Sequence, residues 1–314
     1  MTCPIIISDL SYLTLGDEST WGTVPGSPGY VYCPVGAYGV QLQTEHRKSS
    51  TFTGKRQPVH TKKRRGAPQG QITSLLYGWV DATATVSLAE YLCTWAFDGP
   101  DDCERTSKFA EWAEGPDISN RRHTGLRVSQ ASLTGDESSG QVQLAMDVLG
   151  KDEATFATAQ AIPDDLNGLV DFAFEDVVLT VGGTTLSITS FNFTVNHNLA
   201  IRYNNSNRPT YLLPQGEMDI TFSAVMTKED DTYQALNRAA ADSDLVGSLV
   251  LTGSHEGTGA TGDDTRLTIA MPKMTLQNPE NSFSRGQDAQ ETLNWVVRKP
   301  DTSADAYTLT FDEV

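Results

Sequence analysis

The sequence predicts a mainly β protein built as two tandem β-sandwich or half-barrel domains, each with one flanking α-helix. Three observations carry this. The chain is rich in Thr, Ser, Gly, Asp and Asn, and its apolar residues come in short alternating runs, the period of half-buried strands. Helical spacing of apolar residues is confined to two segments. And one phrase occurs twice with its surroundings: Pro68-Gln69-Gly70 before Gln71-Ile72-Thr73, and Pro214-Gln215-Gly216 before Glu217-Met218-Asp219.

The surroundings match in order. An alternating strand ends in His (Val40, Leu42, His46; Phe191, Phe193, Val195, His197), and a loop with Arg56-Gln57-Pro58 or Arg208-Pro209 follows. After the phrase come a helix candidate with a Tyr (Tyr91; Tyr233) and a strand opening on Leu (Leu126; Leu267). The offsets are 146, 142 and 141 residues, the drift of an old duplication with loop insertions and deletions. The division expected is 1–160, with an N-terminal arm and a long basic loop 46–67, and 161–314. For 314 residues, two domains of about 150 are ordinary. Repeated units serve assembly more often than chemistry.

Each element has its own warrant. Asp17 to Gly26 is turn-rich and reads as an irregular arm. A first strand places Tyr38, Val40 and Leu42 on one face and Gly39, Gln41 and Gln43 on the other. Gly54, Pro58, Gly66 and Pro68 make the basic segment read as a loop, and strands resume at Gln71. Ser87-Leu88-Ala89-Glu90 is a capping box; Tyr91, Leu92, Trp95 and Ala96 then give a helix one apolar stripe. Residues 98–124 read as loop, and strands near 126–134 and 140–149 close the first unit. Ala161 to Gly168 reads as the connector. Val177 to Thr185 is a hairpin with Gly182-Gly183 in its turn. Strands near 186–196 and 217–227 precede a helix near 230–241, whose start carries Glu229, Asp230 and Asp231. Strands near 246–252, 266–276, 290–298 and 305–311 complete the second unit.

The N-terminus lacks the basic and apolar regions of a signal peptide, and no run approaches the roughly 20 apolar residues of a membrane helix. Cys3, Cys33, Cys93 and Cys103 lack Cys-x-x-Cys spacing and read as free thiols in a reducing compartment. The Asn192-Phe193-Thr194 and Asn204-Asn205-Ser206 triplets are chance matches to a glycosylation pattern.

Chemistry is sparse in the pattern. The five histidines (His46, His60, His123, His197, His255) have no metal-site spacing, and neither a nucleophile elbow nor a phosphate-binding loop occurs. The Gly-rich stretch 253–262 is followed by Asp263-Asp264, which repel phosphate, so it reads as a hairpin tip. No catalytic, cofactor or metal residue is assigned, and the chain is not expected to be an enzyme.

A formal charge of −17 argues against a nucleic-acid grip. Residues 46–65, by contrast, are basic throughout, with Arg47, Lys48, Lys55, Arg56, Lys62, Lys63, Arg64 and Arg65 and no carboxylate. Such a segment could contact a phosphate backbone or serve as a localisation signal. On an acidic protein it is better matched to another copy of the same chain, with opposite charges steering the contact. These eight residues are the candidate inter-subunit or inter-ring loop.

The arm from Gly16 to Gly26, the strand and loop through Lys55-Arg56, the Gly70-Gln71-Ile72 return and Ser190 to Leu199 together resemble the phage tail tube (major tail) proteins of long, flexible-tailed phages. The resemblance implies a β-sandwich tube domain whose inner sheet joins those of neighbours into one barrel. Six domains form a ring, rings stack into a pipe for DNA, and the long loop bridges subunits or rings. Two domains per chain imply homotrimeric, pseudo-sixfold rings. About 24 strands at ~4.8 Å spacing and ~40° tilt give a backbone diameter of about 45–50 Å and a bore of about 35–40 Å, wide enough for a duplex about 20 Å across; three domains would leave about 15 Å. An acidic bore is expected, so that DNA slides without sticking. The implied partners are the chain itself, other tail proteins at the tube ends and passing double-stranded DNA, with no membrane and no cofactor. The implied location is the virion tail, assembled in the host cytoplasm. Two other readings stand beside it: a virion decoration or receptor-binding β-sandwich module with a ligand groove, and a hydrolase with two carboxylates about 5–10 Å apart in a cleft.

Overall fold

A computed structural model describes residues 11–48, 61–78, 87–97, 106–113, 120–156, 172–228, 231–238, 244–253, 265–282, 289–300 and 305–313. The first half contains β1 (Tyr12–Asp17), β2 (Val31–Cys33), β3 (Ala37–Tyr38), β4 (Gln41–Lys48), β5 (Thr61–Leu75), α1 (Leu88–Ala96), β6 (Lys108–Ala113), β7 (Asn120–Asp136), β8 (Val142–Leu149) and β9 (Asp152–Phe156). The second contains β10 (Val177–Val181), β11 (Thr184–Leu186), β12 (Ile188–Asn196), β13 (Leu199–Arg202), β14 (Tyr211–Pro214), β15 (Asp219–Thr227), α2 (Thr232–Arg238), β16 (Asp244–Gly253), β17 (Thr265–Ser282), β18 (Gln290–Val297) and β19 (Thr308–Glu313). Every ladder is antiparallel.

The two halves have the same wiring. In the first, β1 pairs with β2 and β6, β6 with β7, β7 with β9 and β8, β8 with β5, and β5 with β4. In the second, β10 pairs with β11 and β16, β16 with β17, β17 with β19 and β18, β18 with β15, and β15 with β12. The duplication read from Pro-Gln-Gly is thus carried by the whole topology. Register rows make the correspondence residue by residue: Tyr38, Ile72, Met146 and Ala131 lie abreast in the first half. Phe193, Phe222, Trp295 and Leu276 lie abreast in the second.

Each half is a sandwich. Its outer sheet buries Leu13, Leu15 and Leu126, or Leu179, Leu249 and Ile269; its inner sheet buries Ile72, Leu144 and Met146, or Phe193, Phe222 and Trp295. Strands β7 and β17 are long because each belongs to both sheets, pairing outward with its first part and inward with its second. The bend in β7 comes at Gly125, whose φ of +68° suits glycine. There the N-terminal arm clamps it: Trp21 Nε1 donates to Gly125 O at 2.9 Å and Gly125 N donates to Glu18 Oε1 at 2.7 Å. Glu18 also accepts from Gly22 N and Ser107 Oγ, so the turn-rich arm is a fitted part of the sandwich.

The halves are joined by a ladder between β7 and β12, which matches Ser190 to Asp136 through Asn196 to Gln130. It fuses the inner sheets into one eight-stranded sheet in the order β4-β5-β8-β7-β12-β15-β18-β17. The core crosses the junction: Phe193 packs on Phe97 and Tyr307, and Tyr307 Oη donates to Phe97 O at 2.7 Å. His197 N donates to Ser129 O, and its Nε2 to Ala96 O at the end of α1. Helix α1 starts as its capping box requires, with Ser87 Oγ accepting from Glu90 N at 3.1 Å. Gly182 and Gly183, at φ +60° and +83°, make the tight turn between β10 and β11.

Several segments differ from the sequence expectation. The stretch 98–124 holds β6 and the start of β7, and an unanticipated strand, β1, leads into the arm, ending at Asp17. Neither loop after the His-bearing strands is simply a loop. In the first copy β4 runs to Lys48 and β5 starts at Thr61; in the second, β13 and β14 form a separate hairpin. Ladders that project beyond a core need no buried face, so apolar alternation does not mark them. The connector 161–168 lies outside the described residues.

The two Pro-Gln-Gly copies have diverged. The first lies inside the unbroken strand β5, and a Cβ on Gly70 would overlap the carbonyl oxygen of Gly39. The second spans the break between β14 and β15, where a Cβ on Gly216 would meet nothing. Gly70→Ala is therefore expected to cost about 1–3 kcal/mol, and Gly216→Ala less than about 0.5 kcal/mol. Urea denaturation of both variants checks this; equal effects would contradict the close approach of β5 to residue 39.

Candidate functional site

One face of the eight-stranded sheet is buried in the two sandwiches and the other is open. Strand alternation sends to the open face Gln41, Gln43 and Glu45; Gln71 and Thr73; Gln143 and Asp147; Gln130, Ser132, Thr134 and Asp136; Asn192, Thr194 and Asn196; Asp219, Thr221 and Ser223; Thr292 and Asn294; Thr275 and Gln277. Amides and hydroxyls predominate, with five carboxylates among the described residues (Glu45, Asp136, Asp147, Asp219, and Glu280 opposite Thr292). Among the described residues the middle strands of this face bear no lysine or arginine; at its ends Lys273, in phase with Thr275, pairs with Asp244 at 3.2 Å, and Arg65 stands opposite Glu45. Arg127, at the rim, is turned onto Leu212 O at 3.2 Å and the Trp21 ring.

The side chains of this face bond to one another. Ser132 and Thr194 hydroxyls meet across the β7–β12 junction at 3.0 Å, Thr194 donates to Asn192 Oδ1, and Gln71 Nε2 donates to Asp147 Oδ1. Asp136 accepts from Ser138, Ser139 and the Ser139 N–H, which hold its carboxyl down at about 2. The face is thus mostly polar, and Lys273 at its β17 end is neutralised by Asp244. Among the described residues its middle strands can exchange weak hydrogen bonds with a polyanion but offer no cation to hold a phosphate.

The strands expected to supply this face, near 38–45, 71–77, 186–196 and 217–226, all contribute. Strands β7, β8, β17 and β18 contribute equally, because their long partners carry them into the inner sheet. Of the candidate loop residues, Arg47 and Lys48 lie on β4, and Lys62, Lys63, Arg64 and Arg65 on β5. They extend one end of the inner sheet as a two-stranded ladder, with His46 opposite Lys63 and Arg47 opposite Lys62. Lys55 and Arg56 lie outside the described residues. At the base of this ladder Gly66 N donates to Asn207 O at 3.1 Å, and Arg208 pairs with Asp152 at 2.8 Å. The hairpin of the second half therefore rests on the first half, where Arg127 also grips β14.

A further cluster has no counterpart in the sequence reading. Tyr38 Oη lies 2.5 Å from His123 Nδ1, and His123 Nε2 lies 2.9 Å from Glu153 Oε2, which also accepts from Leu42 N at 3.2 Å. Tyr38 stacks on Trp112. Partner chemistry puts the imidazole proton on Nε2, leaving Nδ1 to accept from the tyrosine. His123 is 0% exposed, so this hydroxyl–imidazole–carboxylate chain ties the β3–β4 edge to β7 and β9. Its one visible clue is a histidine on the inward phase of a strand. Burial lowers the His123 pKa, against the opposing pull of Glu153. Burial also pushes the Cys33 thiol up to about 12 and raises that of Cys93, and both are free and buried; Cys3 and Cys103 lie outside the described residues.

A family model for phage tail tube proteins matches residues 8–297, most of the chain, and the chain belongs to that family. It is a structural component of a phage tail. A comparison with curated proteins finds no match. Among the described residues, no helix is long and apolar enough to cross a membrane.

The buried histidine makes a pH prediction. An unfolded histidine titrates near 6.5, and the folded one lower. Its contribution is complete above about 6.5 and declines as the pH falls toward the folded value. Urea melts at pH 7.5, 6.5 and 5.5 should show a steeper loss of stability in the wild type than in His123→Gln, which starts lower. Parallel pH profiles would exclude His123 as the cause.

Proposed function

We propose that this chain forms the wall of a tail tube as homotrimeric, pseudo-sixfold rings, each chain filling two neighbouring positions with domains 1–160 and 161–314. The single observation that supports this most is the continuous inner sheet. Two identically wired halves already share it, and among the described residues the middle strands of its open face carry no fixed cation. In the ring that face lines the bore, and rings stack into the conduit through which DNA leaves the virion. The role is structural, without catalysis or cofactor. The chain assembles in the host cytoplasm and meets other tail proteins at the tube ends.

Sheet register refines the dimensions. The row from Tyr38 through Ile72, Met146 and Ala131 arrives at Val195, two residues beyond Phe193, the counterpart of Tyr38. Two residues of stagger per four strands tilt the strands by about 20°. A closed sheet of about 24 strands then has a backbone diameter of about 40 Å and a bore of about 30 Å. This is narrower than ~40° of tilt would give, and still admits a duplex about 20 Å across.

The basic ladder extends the sheet along the strand direction, which in a barrel of shallow tilt runs close to the tube axis. It is placed to reach the next ring, whose surface is acidic overall. Electron microscopy of concentrated purified protein should show rings or tubes; protein that stays monomeric at every salt concentration would overturn the proposal. Replacing Lys62, Lys63, Arg64 and Arg65 by Glu should leave the circular dichroism spectrum and ring formation intact while reducing stacking into tubes. Tubes of normal length from this variant would remove the ladder from the stacking contact.

A further inference from the structure

Within one chain, the second part of β7 receives β12 along seven residue pairs, Ser190 with Asp136 through Asn196 with Gln130. The counterpart of β7 is β17, and the counterpart of β12 is the strand formed by β3 and β4. Both counterparts have open edges. Beyond Thr275, β17 is paired on one side, by β18, and has no second ladder partner among the described residues. The strand through Tyr38 and Gln41 is paired, likewise among the described residues, by β5 alone.

We propose that residues 276–282 of one chain pair antiparallel with residues 35–40 of a second copy, repeating between chains the ladder that β7 and β12 make within one, with the bulge between Gln277 and Glu280 absorbing one extra residue. The inference rests on the ring reading above and names the strands that would close the ring.

Burial supports it. Ala131 and Ser132, on the covered part of β7, are buried and half-buried; their counterparts on β17, Leu276 and Gln277, are half-buried and exposed. The backbone of the other edge is correctly phased. Gly39 N donates to Gln71 O, so residues 38 and 40 turn their amides and carbonyls away from β5. In β12 the counterpart positions Phe193 and Val195 face β7 in the same phase, as His197 N donating to Ser129 O shows. The amide of Leu42 is already taken by Glu153, which sets the end of the available edge just past Gln41. Pro279 removes one donor from the β17 edge, and its neighbours are polar; both features keep an open edge from pairing promiscuously. The contact joins unlike edges, so it propagates head to tail and can close into a ring.

Register makes the test specific. Ser132 and Thr194, whose hydroxyls touch at 3.0 Å, correspond to Gln277 and Gly39. Gln277 is exposed, and a Cβ on Gly39 would find its nearest neighbour at 3.5 Å, an ordinary contact. Assembled Gly39→Cys/Gln277→Cys protein, oxidised with copper phenanthroline, should give covalent dimers and trimers on a non-reducing gel that collapse to monomer with dithiothreitol. Each single variant, and Gly39→Cys/Asn281→Cys, should stay monomeric on the same gel. Should residue 39 resist substitution, Gln41→Cys/Gln277→Cys, diagonal neighbours about 7–8 Å apart in the same register, reads it with a short bis-maleimide in place of the oxidant. Rings visible by microscopy with neither pair cross-linking would overturn this inference and leave the ring reading intact. Wild-type protein that never assembles would overturn both.

Discussion

The molecule is organised by strands that cannot belong to one sheet alone. Strand β7 is 17 residues long, and only its first part finds partners in the outer sheet. Its second part must satisfy two rows of backbone groups in the inner sheet, because a buried amide without a partner costs about as much as a lost hydrogen bond. One row is met by β8. The other is met by β12 from the opposite half, so the two halves are joined by backbone hydrogen bonds as well as by side-chain packing. The clamp on Gly125, the seal of Phe97 on Phe193 and Tyr307, and the bond from His197 to the end of α1 all hold β7 and β12 in this register. The same requirement in β17 is left half met.

Electrostatics follow the same division of labour. The charge of −17 does not lie mainly on the open face of the inner sheet, where amides and hydroxyls outnumber carboxylates. Neutral polar groups bonded to each other offer a moving polyanion little to hold, and the few carboxylates add repulsion. A densely acidic face would instead set like charges side by side on neighbouring strands, which destabilises a sheet. The positive charge is collected on the β4–β5 ladder, which continues the sheet beyond Gln43.

How much of this is legible in the sequence depends on which force marks an element. Where burial selects side chains, the pattern is plain: the β12 run of Phe191, Phe193 and Val195, the apolar stripe of α1, the Gly182-Gly183 turn. Where backbone bonding or local polar fits select them, it is not. β6 was hidden in a polar stretch because Lys108 and Glu111 are buried as ion-paired groups, with Asp17 and Arg122. The β13–β14 hairpin fully buries one side chain, Leu212, too few to set an alternation. The Tyr38–His123–Glu153 cluster draws on three strands distant in sequence, and no spacing rule could join them. The repeat itself was legible, but its most conspicuous phrase proved the least equivalent part of it, since Gly70 is sterically fixed and Gly216 is free.

Duplication within one chain changes what the two kinds of junction can be. The β7–β12 ladder forms within a folding chain and is never exposed to other copies for long, so its edge can carry Phe191, Phe193 and Val195. An edge that must wait for a second copy cannot, because exposed apolar strands pair with whatever they meet. The corresponding strand is Ala37, Tyr38, Gly39, Val40 and Gln41, with Tyr38 held back by His123 and Trp112. Its counterpart β17 edge is Gln277, Asn278, Pro279, Glu280 and Asn281. The two positions share one geometry but differ in composition in the direction that solubility before assembly demands. In a ring of three such chains, half of the six junctions would be made by folding and only half by encounter. A ring of six single domains has no such division and would need one edge sequence to serve as both a folding core and a soluble surface.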